Sequence, residues 1–112
     1  MDELFQVKVR EQAGASVVSA EGEVDVSTAP ALRQRLYELP ESAKVVVDLS
    51  EVTFLDSTGL GVLVAALKRV RESDAGGDLR LVVTRPQVSK VLEVTGLSTV
   101  FSVFPSLDEA LA

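Results

Sequence analysis

The chain has 112 residues, enough for one hydrophobic core and too few for two, so a single domain over residues 1–112 is expected. It contains no cysteine and no histidine, which excludes disulfides, a thiolate nucleophile, Cys/His metal clusters and an imidazole base. Its net charge of −6 argues against direct nucleic-acid binding, which relies on clustered Lys and Arg, and favours a basic protein partner.

Taken in chain order, Phe5, Val7 and Val9 alternate with Gln6, Lys8 and Arg10, the period of a half-buried strand. "EQAGA" reads as the turn into a second strand, "SVVSAEGEVD", interrupted by Gly22 near its end. After "DVST", Leu32, Leu36 and Leu39 share a helical face, with Ser27 or Thr28 as the cap and Pro40 as the stop. "KVVVDLS" is nearly continuous in apolar residues, as expected of a central strand covered on both faces.

From Leu60, the residues Leu63, Val64, Leu67 and Val70 trace a second helix that "SDAGGD" ends. "LRLVV" is a fourth strand, "RPQVSKVLEVTG" a third helix stopped by Gly96, and "VFSVF" a fifth strand. Ser106 and Glu109 have the spacing of a capping box for a last helix. An α/β fold follows, with a mostly parallel central sheet of about five strands and about four helices packed on it.

The segment "FLDSTGLG" lies where a strand of such a sheet gives way to a helix, the end at which ligands and partners gather. On spacing alone Asp56, Ser57 or Thr58 caps the helix, and Gly59 and Gly61 permit close packing. A nucleophilic Ser57 would need a base, and neither histidine nor a locally placed lysine supplies one. "DSTGLG" also lacks the lysine and glycine spacing of a P-loop. A third reading, beside the cap and the nucleophile, makes Ser57 the acceptor of a phosphate, whose charge of about −1.5 to −2 suits a helix N-terminus. Two unit negative charges facing one carboxylate at about 8 Å, with an effective dielectric of about 40, repel by roughly 2 kcal/mol, about thirtyfold in affinity.

The longest apolar stretch, from Leu60 to Leu67, falls short of the roughly 20 residues that cross a bilayer, so no membrane insertion is expected. "MDELFQ" is acidic and lacks the pattern of a signal peptide. A cytoplasmic protein is the expectation.

"GEVDVSTAPALRQRL", "VVVDLSEVTFLDSTGLGVLVAALKRVR" and "LRLVVTRPQVSKVLEVTGLSTVFSVFPSLDEAL" together resemble the anti-sigma factor antagonists, stand-alone bacterial members of the STAS domain family. The D-S-T-G-L-G segment after V-D-L-S is the most specific part. The resemblance implies a binding module without cofactor or catalytic residues of its own. Its unmodified form binds an anti-sigma factor serine kinase and frees a sigma factor. It further implies phosphorylation of Ser57, with Thr58 as the secondary acceptor, and resetting by a phosphoserine phosphatase. The partner surface it implies contains Asp25, Asp56, Ser57, Thr58, Gly59 and Gly61. A constitutive STAS scaffold or transport-complex subunit without a phosphoswitch is the alternative.

Overall fold

A computed structural model describes residues 5–112; the acidic opening, residues 1–4, lies outside them. Strand β1 (Gln6–Gln12) pairs antiparallel with β2 (Ala15–Val24). Then follow α1 (Ala29–Tyr37), β3 (Lys44–Leu55), α2 (Ser57–Arg71), β4 (Asp78–Val82), α3 (Pro86–Val94), β5 (Ser102–Phe104) and α4 (Leu107–Leu111). The sheet order is β1-β2-β3-β4-β5, and every pairing after the first is parallel. The expected α/β architecture, five strands with four helices, is the one observed, and β3 is its central strand.

Neighbouring residues on the inner strands enter different cores, as the two-residue period of a strand demands. Val18, Val45 and Val47 join Leu32 of α1, Leu63 of α2 and Leu92 of α3 in the main core. Val17 and Val46 face the other way, where Ala110, Leu107 and Leu111 of α4 cover them. The continuous apolar reading of "KVVVDLS" is explained by this double burial. Only the short α4 closes the second face, so that face is covered mainly at the amino-terminal half of β2 and β3.

Several boundaries depart from the sequence expectations. The turn is not the whole of "EQAGA": Gln12 pairs with Ala15, leaving a two-residue loop of Ala13 and Gly14, both at positive φ (53° and 80°). Tight hairpins favour such a turn because its twist matches that of the strands, and side-chain periodicity does not register it. The second strand ends at Val24 rather than Asp25 and runs unbroken through Gly22, but its register with β3 shifts between Ser19 and Glu21 and between Gly22 and Glu23, with the extra residue on β3 each time. Strand β3 runs five residues past Ser50, to Leu55, because β2 continues to pair with it after β4 has stopped at Asp48↔Val82. Helix α2 begins at Ser57, earlier than its apolar stripe. Gly96, at φ 78°, ends α3 as expected, but Leu97–Thr99 forms a 3-10 turn and only Ser102–Phe104 pairs as β5. In α4, Ser106 Oγ accepts from Glu109 N (3.2 Å), while the glutamate meets the serine hydroxyl (3.3 Å) rather than a backbone amide.

Ala13 carries a side chain in the left-handed region, which costs L-residues other than Gly, Asn and Asp about 1–2 kcal/mol. Ala13→Asn is therefore expected to raise the unfolding free energy by about 0.5–1 kcal/mol in urea denaturation. An unchanged or lower midpoint would refute a strained turn.

Candidate functional site at the carboxyl ends of β2 and β3

The last registered pair of β2 and β3 is Val24↔Leu55, and Asp56 N donates to Val24 O at 3.2 Å. Asp25 and Asp56 therefore leave adjacent strands side by side, each opening a strand-to-helix loop. In the first loop, Asp25 Oδ1 accepts from Ser27 Oγ (2.7 Å), Ser27 N (2.9 Å) and Thr28 N (3.2 Å). Thr28 Oγ1 accepts from Asp25 N (2.9 Å) and donates to Glu23 O (2.8 Å).

The expected cap is met in position but not in its hydrogen bond. Thr28 occupies the N-cap position of α1 without a side-chain bond to a helix amide, and Ser27 is a donor to Asp25. The carboxylate organises the loop because it accepts several bonds at once, where a hydroxyl oriented toward Glu23 cannot reach the helix. The Ser27 hydroxyl holds the Asp25 carboxyl below its ordinary value of 3.8; desolvation opposes this, and the Ser27 and Thr28 amides reinforce it. This linkage favours the folded state at pH above the ordinary value and fades as pH falls through the lowered one.

In the second loop Asp56 is the N-cap of α2, with extended backbone (φ −101°, ψ −174°) and Oδ1 accepting from Gly59 N at 3.0 Å. This selects among the three residues that spacing left open. Ser57 and Thr58, as the first two helical residues, are exposed, and among the described residues no side-chain hydrogen bond engages either hydroxyl. Asp56 satisfies an amide that would otherwise lack a partner and leaves both hydroxyls facing water.

The two glycines differ. A Cβ on Gly59 would come within 2.6 Å of Leu55 Cδ1 and 2.7 Å of Val24 Cγ1, so the missing side chain lets α2 sit directly on the ends of β2 and β3. A Cβ on Gly61 would meet nothing within 4 Å. Thr58 looks into an open groove of about 740 Å³ between α1 and α2, lined also by Arg33, Tyr37 and Val62, with the Arg33 guanidinium 4.6 Å from the centre of the Tyr37 ring. Among the described residues no group of three or more Asp, Glu, His or Cys converges as a metal site, and no helix is long and apolar enough to cross a membrane.

Sequence reasoning missed two apolar side chains at this end: Val26, 73% exposed in the first loop, and Phe54, 48% exposed beside buried Leu55. Phe54 lies opposite Glu23 in the part of β3 beyond Ser50, an extension set by pairing with β2 that the sequence pattern does not signal.

The result is a small α/β domain with two adjacent strand-to-helix loops, the first tied down by Asp25 and the second presenting the free hydroxyls of Ser57 and Thr58. The profile of the family described as "STAS domain" matches residues 6–110, and the chain belongs to it. Its similarity is to the anti-sigma factor antagonists within the family, which are regulators and not enzymes. It is 35% identical over 100 residues to the anti-sigma-B factor antagonist of Bacillus subtilis, covering 88% of this chain and 90% of that one. It is 35% identical over 108 residues to the anti-sigma-F factor antagonist RsfB of Mycobacterium tuberculosis, covering 94% and 85%. The crystal structure of an anti-sigma factor antagonist from Mycobacterium paratuberculosis superposes with a TM-score of 0.87 at 35% identity, covering 99% of this chain and 94% of that one.

The glycines yield opposite expectations. Gly59→Ala should destabilise by about 1–3 kcal/mol, because Leu55 and Val24 are packed in the core and must move. Gly61→Ala should be neutral or stabilising by up to about 1 kcal/mol, since alanine is the better helix former in open space. Equal losses in chemical denaturation would contradict the different packing assigned to them.

Proposed function

We propose that this chain is a phosphorylation-controlled antagonist of an anti-sigma factor. Its unmodified form binds an anti-sigma factor with serine kinase activity in the cytoplasm and so frees a sigma factor. Transfer of the ATP γ-phosphate to Ser57 Oγ ends the binding, and a phosphoserine phosphatase restores it. The observation that carries this reading is the exposed Ser57 hydroxyl at the start of α2, left free because Asp56 caps the helix.

Each site residue has a distinct role in this reading. Ser57 accepts phosphate, with Thr58 the secondary acceptor on the same turn. Asp56 fixes the loop by its bond to Gly59 N, and Gly59 seats the helix. Asp25, held ionised in the neighbouring loop, meets a donor of the partner. Gly61 stands one helical turn after Ser57 and offers open space to an approaching backbone, which explains a glycine at a helical position where no intramolecular contact requires one.

The phosphate need not disturb the fold, because it replaces no intramolecular bond and lies at the positive end of α2. It places a hydrated dianion on a surface that the partner must cover closely. The chain itself is the substrate of this transfer; the kinase supplies the base and the nucleotide site.

Incubation with the cognate anti-sigma kinase and ATP should add a single phosphate at Ser57, read by mass spectrometry. Ser57→Ala should stay folded and bind while resisting modification. Ser57→Asp should weaken calorimetric affinity by about tenfold, less than phosphoserine does, since it carries the smaller charge. Modification only at positions other than Ser57 and Thr58, or co-purification with scaffold or transport proteins in place of an anti-sigma factor, would reject the proposal.

A further inference from the structure

Val26 and Phe54 are the large apolar side chains left open at the site. Their exposure is built into the backbone. The loop bearing Val26 is fixed by the bonds of Asp25 to Ser27 and Thr28, by Thr28 to Glu23, and by the amides of Thr28 and Ala29 to Asp25 O (3.2 and 2.8 Å). Phe54 is held in a paired strand opposite Glu23, with its neighbour Leu55 anchored in the core. Both side chains are thus presented on ordered backbone, which lowers the ordering cost of contact.

The charges around them are also distinctive. The ion pairs among the described residues join Arg35 to Glu38, Arg69 to Glu41, Arg80 to Asp78 and Arg85 to Glu51. None engages Glu23, Asp25 or Asp56, the carboxylates beside Val26 and Phe54. The carboxylates near the two in the chain, or opposite Phe54 across the strand pair, thus form no ion pair among the described residues.

We infer that Val26 and Phe54 are affinity anchors for the anti-sigma factor, seated in an apolar depression flanked by Lys or Arg side chains that face Glu23 and Asp25. The inference rests on the function proposed above and deepens it. It divides the surface into two parts: the pair Val26 and Phe54 supplies apolar burial, and Ser57 decides whether the surfaces close. Aromatic and apolar anchors of this kind dominate interface energetics, while complementary charge at the rim mainly speeds encounter and sets partner choice. Backbone pairing brings the two together: Phe54 lies opposite Glu23, three residues before Val26, at the strand ends from which Asp25 and Asp56 follow.

The test is calorimetry of the unphosphorylated full chain with its anti-sigma factor at low and high salt. Phe54→Ala and Val26→Ser should each weaken binding by about tenfold or more. Val94→Ser, at an exposed site at the far end of α3, should change it less than about twofold. Wild-type affinity should fall with salt, and Glu23→Gln should reduce that dependence. Thermal melts identify folded variants, and Phe54→Ser provides a second probe if one is unstable. Wild-type affinity in both Phe54 and Val26 variants, or binding indifferent to salt, would overturn the inference while leaving the antagonist role intact. Self-association that disappears in Phe54→Ala, with anti-sigma binding unchanged, would assign the patch to a second copy and also overturn it. Failure of the wild-type protein to bind would instead reject the proposed function and this inference together.

Discussion

The site depends on one constraint, the parallel register that carries β2 and β3 together to Val24↔Leu55 and closes with Asp56 N on Val24 O. A pairing that stopped with β4 at Asp48 would leave the two loops independent. Because it continues, two aspartates emerge next to each other, and Gly59 lets α2 rest on the same strand ends. The backbone work of both loops is assigned to carboxylates. Asp25 gathers donors ahead of α1, Asp56 caps α2, and the hydroxyls of Ser57 and Thr58 remain exposed and without side-chain hydrogen bonds among the described residues.

In the proposed function, this separation of tasks lets a modification of Ser57 change binding without changing the fold. Residues of the main core such as Leu32, Leu49 and Leu63 are fully buried, and none of them touches water at the site. Ser57 is exposed and makes no side-chain bond that phosphate would break. The surface around it is already negative, so long-range charge alone would not release a basic partner. In the proposed switch, release follows from the short range: a hydrated phosphate at the start of α2 would prevent close approach to Ser57 and Gly61, and the partner would lose burial and hydrogen bonds there.

Much of the fold was legible because its signals are local. The alternation through Val9, the apolar stripe of α2, Gly96 as a stop and Ser106 as a cap all follow from side-chain periodicity and backbone chemistry. Less legible features are set by tertiary pairing. The extension of β3 is decided by β2 and not by its own mixed pattern "EVTFL"; the shortness of β5 reflects how little of β4 it can reach, Arg80 to Val82. At the site, the D-S pair was visible, but the choice of Asp56 over Ser57 as cap needed the bond to Gly59 N. The different duties of Gly59 and Gly61 required knowing what lies within reach of each missing Cβ. Val26 and Phe54 escaped notice because exposure is a property of the assembled strand ends, not of apolar residues in a row.

The central claim is that phosphate on Ser57 acts on the interface and not on the fold. It is tested most directly by measuring unfolding stability and anti-sigma affinity on one homogeneous Ser57-phosphorylated preparation. The account predicts stability within about 0.5 kcal/mol of the unmodified protein and, from the burial and hydrogen bonds lost at the start of α2, an affinity reduced by about thirtyfold or more. Unchanged affinity, or a loss of binding matched by loss of the folded state, would contradict it.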